Sequence, residues 1–148
     1  MANYRTTVVA TSNSVADTDD TFISLQAAAN QTLLLKRLRI STKTPAKDDV
    51  IHVKIVRRSD LGSGSTSFTP VPTRIGASAA LATGKVKNGT SAFAVGTITA
   101  TLDEFYVNGR SLLDIPLNYE SASNGYFGVV ISRSDASIVT AVEVEHEE

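Results

Sequence analysis

The amino-acid sequence predicts an all-β fold, an antiparallel β-sandwich or barrel of jelly-roll type with about eight to ten short strands. Three observations lead there. Thr, Ser, Val and Ile dominate, a composition that suits a pleated, half-buried surface better than a helix. Apolar residues recur with a period near two over much of the chain. Asn-Gly, the dipeptide that best tolerates positive φ at both centres of a type I′ hairpin turn, occurs at Asn88-Gly89, Asn108-Gly109 and Asn124-Gly125.

Taken in order, the pattern places strands at 4–10, 21–26, 32–42, 50–58, 84–88, 92–101, 104–108, 110–115, 126–133 and 137–146. Leu38 and Ile40 alternate with Arg37 and Arg39, and Ile51, Val53 and Ile55 alternate with His52, Lys54 and Val56. Near the C-terminus Ile138, Thr140, Val142 and Val144 alternate with Val139, Ala141, Glu143 and Glu145. Each such run reads as a strand with one face in a core. The turn at Asn108-Gly109, between EFYV and RSLLDI, predicts a hairpin pairing Val107 with Arg110 and Phe105 with Leu112. Alanine-rich 26–30 and 77–82 have the composition for a helical turn. The segment 59–74 predicts a long surface loop, flexible at 62–65 and stiffened by Pro70 and Pro72. Two readings of it stand: an arm along a neighbouring surface, or an excursion folded on its own domain. The whole chain, 1–148, reads as one domain, with 1–20 a second candidate for an arm.

Composition narrows the function. A formal charge of −1 gives no overall field to recruit nucleic acid or an anionic membrane. The absence of cysteine removes disulfides, thiolate metal sites and thiol nucleophiles together. Neither a signal peptide nor a membrane-spanning run is evident, so a soluble protein made in the cytoplasm is expected. The two histidines, His52 in mid-strand and His146 in the acidic ending EVEHEE, lack the setting of a general base, and no enzyme activity is expected. Asp17, Asp19 and Asp20 are spaced as a calcium loop begins. They lack its glycine and distal glutamate and read equally as a polar loop, so no metal and no cofactor is expected.

What remains is surface. Lys36, Arg37 and Arg39 lie on one strand, and Lys54, Arg57 and Arg58 on or just after the next. If those strands are neighbours, Arg37, Arg39, His52 and Lys54 share an outward face. Aromatic residues for base stacking are missing from both strands, so the patch points to protein contact rather than nucleic acid. One candidate partner is the Glu143, Glu145, Glu147 and Glu148 ending of another copy; the alternative is charge that protects an exposed face from aggregation. Arg37, Arg39, Lys54, Arg57 and Arg58, with Phe68, Pro70 and Pro72 of the loop, are the candidate partner-binding residues. Sugar binding is the competing class, with Tyr4, Tyr106, Tyr119 and Tyr126 as the aromatic platforms on offer.

Four stretches carry a resemblance: NQTLLLKRLRIST (30–42); VKIVRRSDLGSGSTSFTPVP (53–72) with ASAALAT (77–83); IPLNYESASNGYFGVVIS (115–132); and VTAVEVEHEE (139–148). In this layout the chain resembles the small β-sandwich virion proteins of tailed bacteriophages, of the head-decoration or capsid-stabilising kind. The resemblance implies a jelly-roll subunit, often trimeric, bound to the major capsid protein on the outer surface of the head, with no catalytic residues. A head–tail connector or tail accessory subunit, and a carbohydrate-binding or host-adhesion module, are the alternatives.

Overall fold

A computed structural model describes residues 2–44, 48–63, 66–91, 93 and 97–148. Among them are eleven strands and no helix: β1 (Asn3–Thr11), β2 (Asp20–Gln26), β3 (Leu33–Thr44), β4 (Val50–Arg58), β5 (Thr66–Phe68), β6 (Val71–Pro72), β7 (Thr83–Val86), β8 (Ile98–Asn108), β9 (Leu113–Ser121), β10 (Tyr126–Arg133) and β11 (Val139–Glu147). They form two sheets, ordered β6-β1-β11-β3-β9 and β5-β7-β2-β10-β4-β8, and every pairing is antiparallel.

The pairings are nested. β1 lies beside β11, β2 beside β10, β3 beside β9 and β4 beside β8, so the two halves of the chain meet strand for strand. Strands β1 to β4 alternate between the sheets, and β8 to β11 alternate back. Strict alternation of side chains explains why each sheet keeps one apolar face. On β1, Tyr4, Thr6, Val8 and Ala10 are buried while Arg5, Thr7 and Val9 are exposed. Leu35, Leu38 and Ile40 of one sheet and Ile51, Val53, Ile55 and Ile131 of the other fill the space between them, each 1% exposed or less.

Several expectations are corrected. β8 does not turn back onto β9 at Asn108-Gly109. It pairs with β4, whereas β9 pairs with β3 in the other sheet. Neither Asn108 nor Gly109 has positive φ, and neither Asn88-Gly89 nor Asn124-Gly125 has it at both residues, so none of the three is a type I′ turn. Asn108 instead accepts the Arg110 N–H on Oδ1 at 2.8 Å, and Gly109 N–H donates to the Asp49 carbonyl at 2.7 Å, forming a corner that hands the chain between sheets. The strands expected at 92–101 and 104–108 are one, β8, from Ile98; residues 92 and 94–96 lie outside the described residues. The strand expected at 110–115 is displaced to Leu113–Ser121. Residues 26–30 leave β2 for a turn with Asn30 at φ 70°, and 77–82 form no helix.

The two candidate arms belong to the domain. The segment 1–20 contains β1, paired with β11 over its whole length. The segment 59–74, whose residues 64 and 65 lie outside the described ones, contributes β5 to one sheet and β6 to the other, closing the same side of both.

Candidate functional site

The basic strands part company in the fold. β3 lies in the five-stranded sheet and β4 in the six-stranded one, so Arg37 and Arg39 share no face with His52 and Lys54. The condition for a shared face, that the two strands be neighbours, is not met, because strands adjacent in sequence alternate between sheets here. Arg37 donates through Nε and Nη2 to the two oxygens of Asp114, both at 2.6 Å. Arg39 Nη1 donates to Glu143 at 2.7 Å, Arg5 lies 3.9 Å from the same carboxylate, and Lys36 lies 3.5 Å from Glu147. The result is a ladder of alternating charge across β9, β3, β11 and β1 on the outer face of the five-stranded sheet. Hydrogen bonding to Asp114 raises the Arg37 pKa and lowers that of Asp114. Two of the glutamates considered as a target for the basic strands, Glu143 and Glu147, are therefore paired with Arg39 and Lys36 within one chain, while Glu148 accepts from the Leu81 and Ala82 N–H groups.

The other candidates scatter. Arg57 donates to the Glu120 carbonyl at 3.2 Å. Arg58 is buried across Gly128 and donates to Thr21 Oγ1 at 2.7 Å, and burial lowers its pKa despite the charge of Asp60. A Cβ on residue 128 would lie 2.8 Å from Arg58 Cδ, which is why glycine stands there. Phe68 packs over Gly84 and Pro70 is buried, while Pro72 pairs with Tyr4. These residues fasten the domain's edge.

The structure brings a different set together on the outer face of the six-stranded sheet. Register aligns Ser132, His52 and Tyr106 across β10, β4 and β8, with Lys54 and Glu104 in the next outward row. The His52 and Tyr106 rings stack with centroids 4.2 Å apart and planes 14° from parallel. His52 Nε2 lies 2.5 Å from Glu104 Oε1, a diagonal neighbour on β8. Lys54 Nζ donates to Asp19 Oδ2 at 2.8 Å, a hydrogen bond that raises the lysine pKa. Tyr106 remains 64% exposed.

Facing this wall is the turn at Asp17, Thr18 and Asp19, and the space between is an open cleft of about 570 Å³ also lined by Val50 and Ser132. The turn is fixed. Ser12 exchanges two 2.9 Å hydrogen bonds with Ile138, one through its hydroxyl, and Ser137 N–H donates to the Asn13 carbonyl at 2.9 Å. Asp17 N–H donates to the Arg133 carbonyl at 2.8 Å, while Asp17 itself adopts φ 54°. Arg133 is anchored by Asp49, Nε to Oδ2 at 2.6 Å, and by Thr140 Oγ1 at 3.0 Å, all buried. The cleft is thus built on strands and on a tethered turn, which preorganises its polar groups.

The aspartates read as a possible calcium loop do not converge. Asp19 turns to Lys54 and Asp20 pairs with buried Lys87; among the described residues no three acidic or imidazole side chains gather to hold a metal. Sequence alternation does put His52 and Lys54 on one face of β4, and Glu104 and Tyr106 on one face of β8. Only the pairing of β8 with β4, which the Asn-Gly turn concealed, makes them neighbours. Compared with models of known protein families, with curated proteins and with solved structures, the chain matches none.

Proposed function

We propose that the chain is a jelly-roll virion protein of a tailed bacteriophage, a decoration protein that binds the major capsid protein on the outside of the head and stabilises it. The observation that supports this reading is the nested pairing of β1 to β4 with β11 to β8. A ribbon of four strand pairs wound over two sheets is what a jelly roll would give, and that architecture serves viral capsid and lectin domains. In this reading the protein works through its surfaces rather than by a reaction. It stabilises by mass action, since a ligand of the assembled state favours that state, and symmetric copies add avidity. The long open side formed by β8 and β9 and the charge ladder are the faces available for such contacts.

The test is addition of the purified protein to heads that lack it. Co-sedimentation and a raised temperature of head disruption are expected, and heads that neither bind it nor gain heat resistance refute the reading. Light scattering on the free protein reports whether it is a trimer, the state a decoration subunit of this type favours. Deleting residues 62–72 is a poor probe of docking, because it removes β5 and β6 and so damages the domain itself.

A further inference from the structure

We propose that the cleft between Tyr106–His52 and the Asp17–Asp19 turn is a binding site for a neutral saccharide. The proposal rests on the cleft alone and stands whether or not the protein decorates a capsid.

Tyr106, 64% exposed on a sheet face, lines the cleft beside His52. Tyr106 is also held still: one face lies against His52 at 4.2 Å, and His52 is fixed in turn by Glu104 at 2.5 Å. A rigid ring with an open face suits a flat, weakly polar ligand surface such as the C–H face of a pyranose, because no side-chain entropy is lost on contact. The cleft's volume of about 570 Å³ falls within the range of small-molecule sites.

Polar groups in the lining choose among ligands. Asp17 and Asp19 supply acceptors, Lys54 supplies a donor, and the hydroxyls of Thr18 and Ser132 supply both. Each hydroxyl of a sugar is itself donor and acceptor, so a ring of them satisfies such a mixture. A guanidinium or ammonium ligand offers donors only and would meet Lys54. An acidic sugar would meet the carboxylates of Asp17 and Asp19 against one ammonium, a net repulsion. Of these two carboxylates, Asp19 is already oriented by Lys54. That leaves Asp17, held at φ 54° on the tethered turn, as an acceptor aimed by the backbone.

The experiment is isotope-edited NMR titration of the full chain with methyl glycosides of glucose, galactose, mannose and N-acetylglucosamine, with sialic acid and arginine methyl ester as charged probes. At least one neutral glycoside is expected to shift the amides of His52, Lys54 and Tyr106 saturably, and neither charged probe to do so as tightly. Tyr106→Ala should weaken that binding by about tenfold, the loss expected when a stacked aromatic face is removed, while Tyr106→Phe keeps most of it. Both variants change an exposed side chain, and an unchanged spectrum elsewhere confirms their folding. The proposal is overturned if no neutral glycoside perturbs the cleft, if Tyr106→Ala binds as well as the parent, or if sialic acid or arginine methyl ester binds more tightly.

Discussion

The charged residues occupy two contrasting regions. On the outer face of the five-stranded sheet, Arg37, Arg39, Asp114 and Glu143 form a ladder whose side chains are 18–39% exposed. At the ends of the core, Arg133 meets Asp49 and Lys87 meets Asp20 with every one of these side chains 5% exposed or less. The chemistry is the same and the energetics are not. In the ladder, water screens each charge and little depends on any pair. In the core, burial raises the Asp20 pKa above its ordinary value in spite of Lys87, so desolvation outweighs the attraction there. Buried pairs therefore matter mostly through what happens when one member is lost.

The largest expected effect follows. Arg133→Met leaves the Asp49 carboxylate buried without a cation and strips Thr140 of a donor. The loss should be about 3–5 kcal/mol of unfolding free energy, measured by chemical denaturation. Combining it with Asp49→Leu removes the stranded charge and should recover most of that loss. A single variant that loses no more than an exposed substitution, about 0.5 kcal/mol, would break the distinction between the regions.

That distinction was the least legible part of the chain. Nothing in the sequence around Asp49 marks it for burial, and Asp20 belongs to a stretch that reads as a polar loop. Their partners lie 84 and 67 residues away, and no local pattern couples them. Strands were far clearer wherever one face is fully buried: 50–58 and 126–133 match β4 and β10 at both ends. β9 was half hidden, since Pro116, Asn118 and Glu120 on its exposed face look like a loop. An edge strand tolerates a proline whose missing N–H faces outward. The Asn-Gly corner misled for a related reason. The dipeptide permits a type I′ turn without requiring one, and the core decided which sheet β9 would join. The cleft inherits that obscurity, because it exists only if β8 lies on β4.

An intermediate effect is expected from His146, which belongs to the buried region and pairs with Glu148. Its ring is fully buried and stacks on Tyr4 at 5.5 Å; Nε2 lies 3.1 Å from Glu148, and Nδ1 has no hydrogen-bond partner among the described residues. Burial lowers its pKa against the opposing pull of Glu148. A base whose folded pKa is depressed costs stability once it must be charged. Stability is therefore complete above the unfolded value of roughly pH 6.5 and falls as pH drops below it toward the folded pKa. Denaturation at pH 7.5 and pH 5 should show this decline, and His146→Phe should flatten it. The same decline in the variant would assign the acid sensitivity elsewhere.

The smallest effect is expected on the ladder. Arg39→Ala removes a 2.7 Å hydrogen bond to Glu143 and a 3.4 Å one to Asp114. Both acids keep a second cation, Arg5 for Glu143 and Arg37 for Asp114, and neither is left buried. Truncation should therefore cost at most about 1 kcal/mol in dilute buffer. High salt should shrink that difference further, because the Debye length falls to about 3 Å at 1 M and screens pairs open to solvent. Under the same change of salt the Arg133→Met deficit should persist, since its stranded carboxylate lies where ions do not reach. Parallel denaturation of the two variants at low and high salt thus separates the regions by how each deficit responds, independently of its size. An Arg39→Ala deficit that survives salt unchanged would mean that the arginine acts through the packing of its stem against the sheet rather than through its charge.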